Sequence, residues 1–173
     1  DVDVIFNIDT TGSMQGVLSN AEENALNTIE EIKKNSRTAR FAVTTFRDDP
    51  SYTGDPIDYA SKVNLDFTDD AASIKSALNS LEADGGGDEP ETVYSGINAG
   101  LDLNWRPGVD KIIITITDTV AHDPEPISGL TVKNITDKAF SIDPVQLYIL
   151  DTSWEGLSDD PGYRELTENS SGS

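Results

Sequence analysis

The chain has no cysteine among its 173 residues, so it forms neither disulfide bonds nor thiolate metal sites. Positive charge is scarce: 12 lysines and arginines stand against 32 aspartates and glutamates, and the formal net charge is −20. Such a charge argues against binding to nucleic acid or to anionic membrane surfaces. Long hydrophobic runs are lacking too, since no segment approaches the roughly 20 apolar residues that span a bilayer.

Length and composition indicate one domain covering residues 1–173, long enough to bury a substantial core. Hydrophobic residues make up 36% of the chain, which is low for a globular domain but does not indicate disorder. No signal peptide is recognisable, and the opening Asp1-Val2-Asp3-Val4 is typical of a fragment excised or processed from a larger protein.

Strand-like and helix-like patterns alternate along the chain. Apolar and β-branched runs predict strands over residues 4–8, 40–46, 63–67, 111–117 and 145–150. Apolar residues at helical spacing predict helices over residues 18–32, 74–81, 93–101, 131–142 and 163–168. This alternation predicts a doubly wound α/β fold with a mostly parallel central sheet, helices on both faces, and 63–67 as a short antiparallel edge strand.

Oxygen-bearing side chains follow the first predicted strand at alternate positions. Asp9, Thr11 and Ser13 come directly after it, with Gly12 among them to let the chain turn. Oxygen ligands at the carboxyl end of a buried strand suit a hard cation such as Mg²⁺. Because only one of the three ligands is charged, we expect acidic residues from elsewhere in the chain to complete the site.

Two other segments offer such acids. Asp118 ends the strand over 111–117, and the loop Gly-Gly-Gly-Asp-Glu-Pro-Glu carries Asp88 and Glu91, with Pro90 between them. The carboxyl ends of neighbouring parallel strands meet at one crevice, so we expect these residues to converge. Taken alone, the Asp-x-Thr-x-Ser pattern is weak, since these residue types also cluster in turns and helix caps.

The run from Asp9 to Met14 resembles the Asp-x-Thr-Gly-Ser-Met motif of von Willebrand factor A (VWA) domains, and the resemblance covers nearly the whole chain. The glycine loop is similar to the GGGDxPE variant of bacterial members and to the acidic turn of integrin β I-like domains. This resemblance implies a metal-ion-dependent adhesion site for Mg²⁺ or Mn²⁺. Its ligands would be Asp9, Thr11, Ser13 and Glu91, with Asp118 as the distal acid.

The resemblance also implies a second site for Ca²⁺, because Phe46 to Pro50 is similar to the strand end that feeds such a site in integrins. That site would use Asp48, Asp88, Glu91 and the backbone carbonyl of Pro90. Gly86, however, stands where integrins carry an asparagine ligand. Their third site is not expected either, since Gln15, Gly16 and Val17 replace its paired acids. The segment 50–62 is too short for the integrin specificity loop, and we find no counterpart of the family's final strand and C-terminal helix.

The leading functional hypothesis is a non-enzymatic adhesion or ligand-recognition module, monomeric as an isolated domain, whose metal accepts a carboxylate from a partner protein. A secreted or surface-displayed protein of bacterial or archaeal origin is the expected context. One alternative is a metal-dependent phosphotransferase with Asp9 as nucleophile. Such enzymes need a second acid where this chain has Thr11, and there is no P-loop. Another alternative is a purely structural metal.

The remaining conspicuous residues are interpreted as structural. His122, the only histidine, is expected to be a packing or surface residue rather than a catalyst. Trp105 and Trp154 are interpreted as core or helix-end anchors. Solvated loop positions are expected for five acids: Asp49, Asp55, Asp58, Asp159 and Asp160.

Overall fold

The computed structural model describes residues 1–87, 89–154, 156–157 and 159–170. Five strands are found there: β1 (Val2–Asp9), β2 (Ala39–Phe46), β3 (Lys62–Thr68), β4 (Asp110–Thr117) and β5 (Gln146–Asp151). The helices are α1 (Leu18–Asn35), α2 (Pro50–Thr53), α3 (Ala71–Asn79), α4 (Val93–Leu101), α5 (Val132–Ser141) and α6 (Pro161–Ser170). The sequence pattern predicted every strand and all helices except the short α2 and a 3₁₀ turn over Gly12–Gly16.

The strands form one sheet in the order β3-β2-β1-β4-β5. β1 pairs in parallel with both β2 and β4, and β5 pairs in parallel with β4. β3 runs antiparallel to β2 at the sheet edge, with irregular register. The predicted doubly wound α/β fold with one antiparallel edge strand is therefore confirmed.

Side-chain alternation along β1 supplies both hydrophobic cores. Val4, Phe6 and Ile8 point to the face covered by α1 and α3, where they meet residues such as Leu18 and Ile74. Ile5 points to the opposite face, which α4, α5 and α6 cover. The strand is buried along its whole length, as expected for a central parallel strand covered by helices on both faces.

Local capping fixes several helix starts. Asp70 accepts hydrogen bonds from the amide groups of Ala72 and Ser73, as expected for an acid at the start of α3. Thr131 and Asn134 form a reciprocal capping box at the start of α5. Among the helices of the described residues, none combines the length and the apolar character that crossing a membrane would need.

A buried acid with two arginines closes the amino end of the sheet. Asp3 is fully buried, and its carboxylate accepts a hydrogen bond from Arg40 at 2.6 Å and pairs with Arg106 at 2.8 Å. Burial alone would raise the pKa of Asp3, but the hydrogen bonds from both arginines outweigh it and leave the pKa below its ordinary value. The negative charge of Asp3 is therefore neutralised by two arginines of the same chain.

We expect Asp3→Asn to lower the free energy of unfolding by about 2–3 kcal/mol, because it breaks a buried ion pair. We expect a smaller loss than for a completely buried ion pair, because Arg40 and Arg106 are about a quarter exposed and can turn to water. Urea denaturation at pH 7 measures the effect. The matched control is Asp137→Asn, which breaks an exposed pair with Lys133 and should lower the free energy of unfolding far less than Asp3→Asn does. Equal losses in both variants would contradict the assignment.

Candidate functional site

The candidate site lies where the strand order reverses, between β1 and β4. From β1 the chain passes to β2 on one side, and β4 and β5 lie on the other side. Asp9 is the last residue of β1, and Asp118 follows the last residue of β4. Open α/β sheets bind their ligands at this location because the loops diverge there and leave a crevice.

The carboxylate of Asp9 is completely buried and held by neutral donors. Its Oδ1 accepts the amide N–H of Thr11 at 2.9 Å and the hydroxyl of Thr11 at 2.7 Å. Its Oδ2 accepts the hydroxyl of Thr117 at 2.7 Å. Burial raises the pKa of Asp9 to about 6 against the lowering effect of these hydrogen bonds, and the nearby charge of Asp118 raises it further.

A chain of oxygens leads from Asp9 to the surface. The hydroxyls of Thr11 and Ser13 lie 3.0 Å apart, and the hydroxyl of Ser13 donates to Asp118 at 3.1 Å. Thr11 is buried, Ser13 is exposed, and Asp118 is half-buried. The structure therefore brings together four of the residues that the sequence predicted, Asp9, Thr11, Ser13 and Asp118, in one open-ended cluster.

The glycine loop brings Glu91 to the same place. Gly86 has a φ of +68°, and a Cβ atom on it would lie 2.7 Å from Glu91 Oε1 and 2.7 Å from the Thr11 side chain. Glu91 is 3% exposed, and its backbone pairs with the segment after Asp118 through the amide of His122. Only a glycine fits between Glu91 and Thr11, so Gly86 permits the close approach of the glycine loop to the turn after β1.

The predicted second site is only partly described. Asp88 lies outside the described residues. Asp48 is fully buried, and its Oδ2 lies 3.7 Å from Nε2 of His122. Pro90 is half-buried, and it connects Glu89 to Glu91. Within the described ranges, no three histidine, aspartate or glutamate side chains come together as a metal-binding group.

Arg47 organises this end of the sheet, and sequence reasoning missed it. Its guanidinium is 9% exposed and donates to three backbone carbonyls, those of Thr10, Ile57 and Glu82. Its own carbonyl accepts the amide and the hydroxyl of Thr92. The side chain of Arg47 thus ties the segment after β1 to segments that precede the glycine loop, and its backbone carbonyl holds Thr92, which follows that loop. In the sequence, Arg47 is marked only by its position between the end of a predicted strand and the two acids Asp48 and Asp49.

Three further positions differ from expectation or were missed. Asp58 was expected to be solvated, but it is 5% exposed and accepts the amide of Gly86 at 2.7 Å. Trp154 was expected to be an anchor, but its side chain is fully exposed at 101%. Thr117 was not singled out from the sequence. It lies two residues after Thr115 on a buried strand, so both side chains lie on one face of the sheet, and the hydroxyl of Thr117 reaches Asp9 on that face.

Residues 3–146 match the sequence model of the von Willebrand factor A domain. The chain belongs to this family. VWA domains are generally adhesion and protein-interaction modules, and the resemblance inferred from Asp9 to Met14 is confirmed at the level of the family.

Solved structures share the fold at low sequence identity. A conserved hypothetical protein BatB from Bacteroides thetaiotaomicron superimposes with a TM-score of 0.68 at 17% identity, over 99% of this chain and 87% of that one. The vWF domain of the type V pili tip protein Mfa5 from Porphyromonas gingivalis has a TM-score of 0.55 at 21% identity, over 69% of this chain and 38% of that one.

One curated relative is the alpha-protein kinase vwkA of Dictyostelium discoideum, 25% identical over 128 residues. The match covers 72% of this VWA domain but only 19% of that relative. This chain therefore spans about a fifth of that protein, and the kinase activity in the name refers to the whole of it.

We expect Gly86→Ala to destabilise the domain by at least about 1–2 kcal/mol, the cost of a side chain at positive φ, before steric overlap is added. The matched control is Gly87→Ala, whose Cβ would meet nothing within 4 Å and whose φ is not positive. That control should change stability by less than about 0.5 kcal/mol. Thermal and urea unfolding with chelator present compare the two variants, and similar losses would refute the close approach.

The raised pKa of Asp9 predicts a pH dependence of stability in chelator. Between about pH 4 and pH 6 the folded state binds a proton that the unfolded state has released, so unfolding becomes easier as pH rises. Above pH 6 the free energy of unfolding is lower than at the lowest pH by on the order of 3 kcal/mol. Urea denaturation from pH 4 to pH 8 should show this decline in wild type and a smaller one in Asp9→Asn. Parallel pH profiles in the two proteins would show that Asp9 is ionised without cost.

Proposed function

We propose that this VWA domain is a recognition module that binds an acidic group of a partner through Mg²⁺ or Mn²⁺. The ion would be held by Asp9, Thr11, Ser13, Glu91 and Asp118. The observation that carries the proposal is the chain of closely spaced oxygens that ends at the exposed hydroxyl of Ser13.

The spacing of these oxygens fits an octahedral ion. Oxygens bound at 2.0–2.1 Å to Mg²⁺ in octahedral geometry lie about 2.9 Å from their neighbours. The corresponding separations are 2.7 Å from Asp9 to Thr11, 3.0 Å from Thr11 to Ser13, and 3.1 Å from Ser13 to Asp118. The donor set of hydroxyls and carboxylates is also the hard type that Mg²⁺ and Mn²⁺ prefer.

The electrostatics of Asp9 support the same role. A buried carboxylate with only neutral donors is costly when ionised, and its pKa of about 6 reflects this cost. A cation beside it would supply the missing positive charge, and binding near pH 6 would release a proton. No arginine or lysine among the described residues contacts Asp9, in contrast to Asp3 at the other end of the sheet.

Two of the three charged ligands would lie on the inner side of the ion. Thr11 and Ser13 are neutral, and the burial of Asp9 and Glu91 keeps both acids on the inner side. When bound, the ion would offer an open coordination position to a carboxylate of the partner. Thr11 and Thr117 would hold the carboxylate of Asp9 in one orientation, and Arg47 would fix the loops around it.

A second Ca²⁺ site is less well supported by the described residues. The imidazole of His122 lies beside Asp48, whereas Ca²⁺ takes oxygen ligands. Gly86 contributes no side-chain oxygen, and Asp88 is outside the described residues. A Ca²⁺ site would therefore depend on Asp88 and on the carbonyl of Pro90.

A protein partner and a surface or secreted location complete the proposal. The family is generally a protein-interaction module, and one structural neighbour is a pilus tip protein of a bacterium. The net charge of −20 keeps an isolated domain apart from its own copies, so we infer a monomer.

Calorimetric titration of the chelator-treated protein with Mg²⁺, Mn²⁺ and Ca²⁺ tests the metal site. We expect Mg²⁺ or Mn²⁺ to bind at one site. Asp9→Asn and Ser13→Ala should each weaken this binding at least about 100-fold, because losing a direct ligand should cost no less than losing a residue that only supports a ligand. Asp137→Asn, on the exposed face of α5, serves as the matched control and should bind as wild type does.

The partner role is measured in the same metal-loaded protein with two peptides that differ only in aspartate or asparagine. Metal-dependent binding of the aspartate peptide alone supports the proposal. Metal binding without discrimination between the peptides would indicate a structural ion, and no metal binding in wild type would refute the mechanism.

A further inference from the structure

Glu125 is a buried acid that does not belong to the candidate metal site. It is 1% exposed, whereas the other residues of the turn over 123–129 are exposed, Ile127 by 52%. An acid inside and an isoleucine outside reverse the usual preference of these residue types. Because a buried charge is costly unless it is hydrogen-bonded, the contacts of Glu125 show which part of the structure its burial serves.

The carboxylate of Glu125 holds the start of α4. Its Oε1 accepts the amide N–H of Ser95 at 2.8 Å, and its Oε2 accepts the hydroxyls of Ser95 and Ser128. Ser95 is the third residue of α4 and is itself buried, and an acid at a helix N-terminus is stabilised by the helix dipole. The backbone of Glu125 bonds to Leu130 and Gly129, so the turn that carries the acid is closed on itself.

The same two segments meet again at Glu91, the candidate ligand that lies just before α4. The backbone of Glu91 forms a short parallel bridge at Ala121, with hydrogen bonds of 3.1 and 3.0 Å. Residues 91–95 and 118–125 are therefore joined both at the bridge and at Glu125. Since the second segment begins with Asp118, these two connections join the loops that supply two of the candidate metal ligands.

We infer that Glu125 is a positioning residue of the candidate metal site. It holds the first turn of α4 against the segment after β4, and Glu91 thereby keeps its place relative to Asp118. Within the described residues the side chain of Glu125 bonds to Ser95 and Ser128, so it acts on the metal through Glu91. This inference rests on the proposed function, because the metal is what requires the two acids to keep their separation.

Mg²⁺ makes the position of Glu91 demanding. This ion requires near-ideal octahedral geometry, whereas Ca²⁺ accepts more ligands at longer and more variable distances. A displacement of Glu91 should therefore weaken the binding of Mg²⁺ more than the binding of Ca²⁺. A residue that only capped α4 would contribute to stability and leave this metal selectivity unchanged.

The test compares Glu125→Ala with Asp70→Ala by calorimetric titration with Mg²⁺ and with Ca²⁺. Asp70 is the matched control, because it also accepts amide groups at the start of a nine-residue helix. It lies at the other end of the sheet, where Thr68 pairs with Phe41. We expect Glu125→Ala to lower Mg²⁺ affinity about tenfold, the lower effect of losing a residue that supports a ligand, and Ca²⁺ affinity less. Asp70→Ala should bind both ions as wild type does.

Two milder variants test the same role if Glu125→Ala does not fold. Glu125→Gln keeps an oxygen for the amide of Ser95 and should retain most of the Mg²⁺ affinity. Ser95→Ala removes only the hydroxyl that donates to Glu125, and its Mg²⁺ affinity should be intermediate.

Amide hydrogen exchange in chelator measures the connection without metal. The amides of Glu91 and His122 form the bridge, so they should exchange faster in Glu125→Ala and in Ser95→Ala than in Asp70→Ala.

Wild-type Mg²⁺ affinity in both Glu125→Ala and Ser95→Ala, an equal loss in Asp70→Ala, or equal losses for Mg²⁺ and Ca²⁺ would overturn the positioning role while leaving the metal function standing. Unchanged exchange at Glu91 and His122 would overturn it as well. The absence of Mg²⁺ binding in wild type would instead refute the proposed function, and this inference with it.

Discussion

The carboxylate of Asp9, buried at the end of the central strand, is the constraint around which one end of the molecule is arranged. Its hydrogen bonds within the described residues come from neutral groups of Thr11 and Thr117, and burial raises its pKa to about 6. The turn after β1, the end of β4 and the glycine loop all meet around it. A buried carboxylate held by neutral donors is expensive to ionise, and a group with such a raised pKa at a strand switch point is a candidate for a functional site.

The two ends of β1 show the same residue type in opposite roles. Asp3 and Asp9 are both fully buried aspartates on one strand. Arg40 and Arg106 bond directly to Asp3 and lower its pKa, and this pairing ties β1 to β2 and to the segment before β4. At the other end Arg47 bonds to backbone carbonyls instead and fixes the loops, and in the part of the chain that the structure describes no lysine or arginine bonds to Asp9. Asp3 is neutralised within the fold, whereas Asp9 is the acid to which the proposed function assigns a metal ion.

The comparisons with known proteins establish the family and the fold, but they do not supply the chemistry. The two solved structures described above are 17% and 21% identical to this chain over the aligned parts, and the match to the alpha-protein kinase vwkA covers 19% of that protein. One fold hosts many functions, so the arguments for recognition rest on the oxygens around Asp9.

The sequence by itself determined the strands, the long helices, their alternation and the cluster of Asp9, Thr11 and Ser13, because hydrophobic periodicity and short-range spacing are local properties. It also placed Asp118 and Glu91 near that cluster, since parallel strands end at one edge. Only the tertiary structure decided the roles of Arg47, Thr117 and Asp58, and the exposure of Trp154. Those roles depend on contacts between segments that are distant in sequence, such as Thr117 with Asp9, and on whether the surrounding chain covers a side chain or leaves it in water.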